Sequence, residues 1–99
     1  MNLNIRSVHF HPDAKLINLV EKKISKLNQV NTRITNIDVF LKLDNIAHAI
    51  KDKIVEIKVL VPRHSFFVKH SCKSFEESFE LALDSMLAQI KRKKDKTIA

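Results

Sequence analysis

Basic side chains are concentrated near the carboxyl-terminal end of this 99-residue chain. Residues 89–96 contain five cations against one carboxylate, which is a surplus of four in a formal net charge of +7. That density exceeds what a helix end needs to offset its own dipole. Such a concentration of positive charge favours binding to the phosphates of a nucleic acid.

A second basic cluster, Lys22, Lys23 and Lys26, lies in the first third of the chain. Lysines on a helix surface often serve solubility alone, so for this cluster by itself phosphate binding and solubility are about equally plausible. Together with the C-terminal run the cluster favours phosphate contacts. The candidate RNA-binding residues are therefore Lys22, Lys23, Lys26, Lys91, Arg92, Lys93, Lys94 and Lys96.

Other chemistry has weaker support in the sequence. His9 and His11 would share a face of a strand, as would His70 and Cys72, but no acidic or thiol partner has the spacing of a metal site. Nothing beside Cys72 supplies an orienting group or an oxyanion hole. The chain has no glycine, which argues against phosphate-binding loops of the nucleotide-binding type. We expect no enzyme activity, no metal and no cofactor.

Aromatic residues give little support for binding to single-stranded RNA. Tyr and Trp are absent, and most of the six Phe fit core positions. Phe40 and Phe67 are the two with positions compatible with exposure. Base stacking is therefore not expected, and recognition of structured RNA through its backbone and shape is the better physical match.

Composition indicates one globular domain. The chain is 44% hydrophobic and 29% charged, a balance that suits a packed core rather than disorder. A single cysteine, the lack of a signal-peptide pattern and the absence of a long apolar run predict a cytoplasmic protein that does not enter a membrane. We expect residues 1–96 to form the domain and residues 97–99 to be a loose tail.

Hydrophobic periodicity predicts the elements that position the basic clusters. Alternation predicts strands at residues 2–8, 34–43 and 53–61, and a fourth strand that ends near Ser71, with a loop at 44–49. Helical spacing predicts helices at about 13–28 and 74–94, the first started by Pro12 or Asp13. Ser74 and Glu77 have the spacing of a capping box. The order β-α-β-β-β-α predicts an α+β fold of two layers, a four-stranded sheet with two helices on one face.

The helical patterns also place the cations. Lys15, Lys22 and Lys26 fall opposite an apolar arc on the first helix, so they should face solvent. On the second helix, Lys93 and Lys94 rotate back toward the apolar side. Since they cannot enter the core, the last turns should project beyond the sheet.

The chain resembles the ribosome hibernation promoting factors, also called ribosome-associated inhibitors or subunit-interface proteins. The similarity covers nearly the whole chain, although no single segment is a strong motif. It lies in Leu3-Asn4-Ile5, in Leu16, Val20, Lys23, Lys26 and Leu27, in Arg33-Ile34 and Ile37, in Val39–Leu43, and in Leu87–Ile90 with Arg92, Lys94, Asp95 and Lys96.

This resemblance implies a fold like the double-stranded-RNA-binding domain and a non-catalytic role on the ribosome. The family occupies the messenger and transfer RNA channel of the small subunit in starved or stationary cells. Its implied partners are the small subunit and 70S or 100S ribosomes, through ribosomal RNA, with a monomer expected away from the ribosome. Lys23, Lys26, Arg92, Lys94 and Lys96 match family positions that contact RNA phosphates.

The sequence departs from the family in three places. Helix two opens with Lys73–Phe79, which has extra acids and no Tyr; a mid-helix basic position is Ser85; and the turn before the fourth strand is Pro62-Arg63-His64 without glycine. The chain also has no segment like the dimerisation domain of long members or the acidic tail of the inhibitor branch, as in a short form. The alternative to ribosome binding is a general module for double-stranded RNA. An enzyme that uses Cys72 or the histidines ranks far behind both.

Overall fold

The computed structural model describes residues 2–46 and 50–98, and for residues 44–46, 50–51 and 94–98 it describes the backbone alone. The elements follow the predicted order, which confirms the α+β fold class. They are β1 (Asn2–Val8), α1 (Ala14–Val30), β2 (Asn36–Ile46), β3 (Ile50–Val61), β4 (His64–Cys72) and α2 (Phe75–Ile98).

The four strands form one sheet in the order β1-β2-β3-β4. β1 is parallel to β2, whereas β2 with β3 and β3 with β4 are antiparallel. Because parallel neighbours need a crossover, α1 connects β1 to β2, and the later strands form a meander. In one row across the sheet Ile5 lies opposite Val39, Val39 opposite Ile57, and Ile57 opposite Val68.

The hydrophobic core lies between the sheet and the two helices. The predicted apolar arc of α1 is confirmed, since Leu16, Val20, Ile24 and Leu27 are buried. The alternating strand positions and one face of α2 complete the cluster, while the other face of the sheet is left uncovered by the helices. The buried strand residues are Ile37, Val39, Leu41, Val55, Ile57, Val59, Phe66 and Val68, and those of α2 are Phe75, Phe79, Ala82, Leu83, Met86 and Ile90.

Side chains just outside each helix fix where it begins. The Asp13 carboxylate accepts a hydrogen bond from the backbone N–H of Leu16 at 2.8 Å, so Asp13 is the N-cap of α1. At α2 the Ser74 hydroxyl accepts from the N–H of Glu77 at 3.2 Å, which is one half of the predicted capping box. Phe75, in the first turn of α2, stacks on Phe10 with ring centroids 4.6 Å apart.

A buried serine ties α2 to the sheet. The Ser78 hydroxyl lies 2.6 Å from the carbonyl oxygen of Lys53 on β3 and 3.0 Å from that of Ser74. The residue is completely buried, yet its polar group is satisfied by these acceptors. The start of α2 is therefore anchored against β3.

Several element boundaries differ from the predicted ones. β2 begins at Asn36 rather than residue 34 and continues through Ile46, and β3 already begins at Ile50, so the first half of the predicted loop at 44–49 is strand. The polar pair Asp44-Asn45 interrupts the sequence pattern, but pairing with β3 as far as Ile46 opposite Ile50 maintains the ladder. Residues 47–49 of that predicted loop lie outside the described residues.

The helix ends also differ. α1 runs to Val30 rather than 28, and α2 runs to Ile98 rather than 94. The domain boundary at residue 96 and the loose tail at 97–99 remain predictions. None of the helices in the described part of the chain is long and apolar enough to cross a membrane.

Candidate nucleic-acid interface

The outer surface of α1 presents the first basic cluster. Lys22 and Lys26 are exposed and lie one helical turn apart, opposite the buried face that includes Ile24 and Leu27. Their placement on the solvent side agrees with the predicted helical wheel. Both ammonium groups are therefore accessible to a phosphate.

Lys23 is different, because it lies between the helices. Its ammonium group forms an ion pair with the carboxylate of Glu80 on α2. The two side chains are 31% and 42% exposed, so the pair is only partly accessible to water. Lys23 thus links α1 to α2, and its charge is offset by a neighbouring carboxylate.

The last turns of α2 present the second basic cluster. Lys91, Arg92 and Lys93 are exposed. The backbone of Lys94 and Lys96 continues the helix, and their side chains lie outside the described residues. Lys93 lies on the same side of the helix as the buried Ile90, as the periodicity predicts, and lines a surface cavity rather than the core.

The two helices run in the same direction and end on the same side of the domain. Lys23 of α1 meets Glu80 near the start of α2, and Val30 at the end of α1 lines the same cavity as Ile90 later in α2. The loop between α1 and β2 and the turn between β3 and β4 reach this side too, since Arg33 and Pro62 line that cavity.

Four cations meet on this side, and we call them the basic end: Arg33, Arg63, Arg92 and Lys93. Arg33 and Lys93 line the cavity, of about 470 Å³, and Arg92 joins Lys93 in an adjoining groove of about 240 Å³. Arg63 lies in a depression that shares His64 with both. Among the described side chains, no carboxylate lines these three concavities.

Sequence reasoning missed Arg33 and Arg63 as members of this site. They lie outside both charge clusters, and only the topology of the sheet brings them to the end of α2. Arg63 has a φ of 68°, in the left-handed region that glycine adopts most easily. The sequence contained one indication of Arg63, since the turn Pro62-Arg63-His64 has no glycine and places an arginine there, and this arginine is exposed.

The histidines and Cys72 form no metal centre within the described residues, where no group of three His, Cys, Asp or Glu side chains is placed to hold an ion. The His70 ring Nε2 instead lies 2.8 Å from the hydroxyl of Ser85 on α2. This hydrogen bond joins β4 to α2. Cys72 is a half-buried free thiol at the end of β4.

The chain is thus an α+β protein, a two-layer β-α-β-β-β-α domain with cations gathered at one end. The particular family follows from the sequence: residues 3–98 match the family described as sigma 54 modulation protein / S30EA ribosomal protein. The chain belongs to this family, which confirms the relationship to ribosome hibernation factors predicted from its residues. Among curated proteins, none has significant sequence similarity to the chain.

Solved structures share the fold. A ribosomal subunit interface protein from Coxiella burnetii superposes with a TM-score of 0.84 at 18% identity, over 96% of this chain and 99% of that one. The N-terminal domain of Thermus thermophilus Protein Y superposes with a TM-score of 0.77 at 22% identity, over 93% of this chain and 98% of that one. At these identities the likeness establishes the fold.

Proposed function

We propose that this protein is a cytoplasmic, non-catalytic silencer of translation that binds the small ribosomal subunit in starved or stationary cells. It occupies the channel for messenger and transfer RNA, where its cations contact ribosomal RNA phosphates. The observation that supports this most directly is the basic end, where four cations from three parts of the chain converge around concavities that no described carboxylate lines. Family membership supplies the ribosome as the partner.

The mechanism is competition for phosphates. A domain that neutralises ribosomal RNA phosphates in the channel excludes the RNA that would use the same space, and it needs no chemical step. Each neutralised phosphate releases counterions, so affinity falls with salt. If about six phosphates are contacted, the slope of log affinity against log salt is about −5.

The direct test is sedimentation of ribosomes with the added protein at two salt concentrations. Co-migration with ribosomes that weakens at the higher salt supports the proposal, and the position of the peak distinguishes single from dimeric ribosomes. A protein that stays at the top of the gradient even in low salt contradicts it. Equal affinity for free duplex RNA and for ribosomes would instead favour a general double-stranded-RNA-binding module.

A charge reversal tests the surface. Lys26→Glu/Arg92→Glu should abolish co-migration, because it replaces two exposed cations of the proposed interface with carboxylates. The matched control is Lys15→Glu/Lys73→Glu, which changes the net charge equally but lies at the opposite end of the domain, near the starts of α1 and α2. Equal losses in both variants would reject the proposed interface.

A further inference from the structure

The face of the sheet that the helices leave open presents two phenylalanines among basic side chains. We call Arg6, Phe40, Lys58, Phe67 and Lys69 the outer sheet patch. Arg6 on β1 lies opposite Phe40 on β2, and Lys58 on β3 lies opposite Phe67 on β4. Lys69 is two residues beyond Phe67 and therefore on the same face.

Phe67 is the most exposed large hydrophobic side chain in the described part of the protein, at 52%. Its neighbours Phe66 and Val68 point into the core, so the strand holds the Phe67 ring on the outside. Phe40, also on this face, is half-buried, and the Lys42 ammonium lies 5.8 Å from its ring centre. A rigid aromatic ring on an open sheet is a platform on which an unpaired base can stack.

Two carboxylates of this face, Asp38 and Glu56, already have partners. Asp38 accepts hydrogen bonds from the side-chain amides of Asn4 and Asn36, both at 3.1 Å. Glu56 pairs with Lys42 at 3.0 Å. Their negative charge is therefore partly compensated by neighbouring groups.

The cations of the patch form no ion pair with a described carboxylate. Within the described side chains, the ion pairs are those of Lys23 with Glu80 and of Lys42 with Glu56. Arg6, Lys58 and Lys69 are not in these pairs, although Lys58 lies opposite Asp38 and Lys69 opposite Glu56 in the sheet. Cations beside an exposed aromatic ring match the two features of a single-stranded nucleic acid, its phosphates and its unpaired base faces.

We propose that the outer sheet patch binds single-stranded RNA, with one base stacked on Phe67 and the adjoining phosphates on Lys58 and Lys69. This differs from the sequence-based expectation that stacking plays no part. Duplex RNA is a poor ligand for the patch, because its base faces are hidden within the helix. The proposal uses none of the residues of the basic end and does not rest on the proposed function.

The test measures binding of a short fluorescein-labelled oligouridylate to the full chain by fluorescence anisotropy. Phe67→Leu should weaken binding by about fivefold or more, since base–aromatic stacking is lost. Phe67→Tyr should retain the affinity, because the ring remains. Leu81→Ala is the matched control, since Leu81 is also exposed, at 46%, but lies on α2.

The lysines make a separate contribution that salt reveals. Lys58→Gln/Lys69→Gln should lower the magnitude of the log–log salt slope by about 1.4, at roughly 0.7 per single-strand phosphate. Unchanged affinity in Phe67→Leu, with the fold verified by circular dichroism, would overturn the proposal. So would equal binding of oligouridylate and of an RNA duplex by the native chain.

The single strand has two possible sources, a free RNA or an unpaired segment of the ribosome. Ribosome sedimentation of Phe67→Leu separates them: weakened co-migration indicates a ribosomal segment, whereas native co-migration together with lost oligouridylate binding indicates a free RNA. Both outcomes support the patch. If the native chain binds oligouridylate but never ribosomes, the patch stands and the proposed function fails.

Discussion

At the scale of single residues, Lys23 shows how a neighbour changes what a cation can do. The sequence places it in one cluster with Lys22 and Lys26, yet its ammonium group is paired with Glu80, which is 57 positions away along the chain. A lysine held by a carboxylate must give up that partner, or share it, to contact a phosphate. Its contribution to RNA binding should therefore be smaller than that of an exposed neighbour.

We expect Lys23→Gln to weaken ribosome binding less than Lys26→Gln, because Lys26 is exposed whereas Lys23 is already paired. The measurement is affinity for purified small subunits at fixed salt. A double-mutant cycle with Glu80→Gln should give a coupling energy of about 0.5 kcal/mol in unfolding, as for other partly exposed pairs. A larger loss in Lys23→Gln than in Lys26→Gln would show that the pair opens on the ribosome.

Arg63 combines a charge with an unfavourable backbone conformation. Its φ of 68° costs a residue with a Cβ atom about 1 kcal/mol relative to glycine. Arg63→Gly should therefore unfold at higher urea concentration than Arg63→Ala, which removes the charge but retains the Cβ atom. Both substitutions should lower the ribosome salt slope equally, by about 0.9. Equal stability of the two variants would contradict the conformational argument.

At the scale of elements, each helix depends on a polar residue outside its first turn. α1 has no acidic residue in its first turn, so the Asp13 carboxylate is the group that satisfies an N–H there. Asp13→Ala should lower the free energy of unfolding by about 1 kcal/mol, measured by urea denaturation. Asp13→Asn preserves an acceptor and should change stability by less than half as much. Similar losses in both would mean that the charge, not the hydrogen bond, stabilises α1.

The elements themselves were predictable where periodicity is strong. The spacing of Leu16, Val20, Ile24 and Leu27 defined α1, and alternation defined the interior of β2 and β3. The strand ends were not predictable, because Asp44 and Asn45 have low strand propensity and are kept in the sheet by pairing with β3. Boundaries of this kind depend on the partner strand rather than on local sequence.

The candidate site was predictable where helical periodicity determines the position of a side chain, and not where the topology does. Helical spacing correctly placed Lys22 and Lys26 on the solvent side of α1. Arg33 and Arg63 could not be assigned, because their proximity to Lys93 depends on the two helices ending on the same side as the β3–β4 turn. Convergence of distant cations is a property of topology, which a single sequence reveals only indirectly.

At the scale of the whole molecule, positive and negative charge are separated along α2. Glu76 and Glu77 lie in its first turn and the cations of the basic end lie at its other end. Since the helices run in the same direction, Glu76 and Glu77 lie at the opposite end of the domain from the basic end, where Lys15 and Lys73 are also found. A particle with such a charge distribution is oriented as it approaches a polyanion, so productive encounters become more frequent.

Two variants with equal net charge separate this orientation from simple attraction. Gln29→Lys/Thr32→Lys adds two charges beside the basic end, where both residues line the cavity. Glu76→Gln/Glu77→Gln raises the formal net charge of +7 by the same two units at the opposite end. The first should increase the association rate constant with small subunits roughly threefold at low salt, and the second should change it much less.

Stopped-flow measurements across a salt series provide the decisive comparison. The difference between the two variants should disappear as the salt concentration rises, because the Debye length falls below the size of the domain. Glu76→Gln/Glu77→Gln should change dissociation little, because it lies away from the basic end, whereas Gln29→Lys/Thr32→Lys should also slow dissociation, because the added cations lie beside the proposed phosphate contacts. If both variants accelerated association equally, net charge alone would govern the encounter. The gathering of Arg33, Arg63, Arg92 and Lys93 at one end would then serve contact with phosphates after docking, and not the approach.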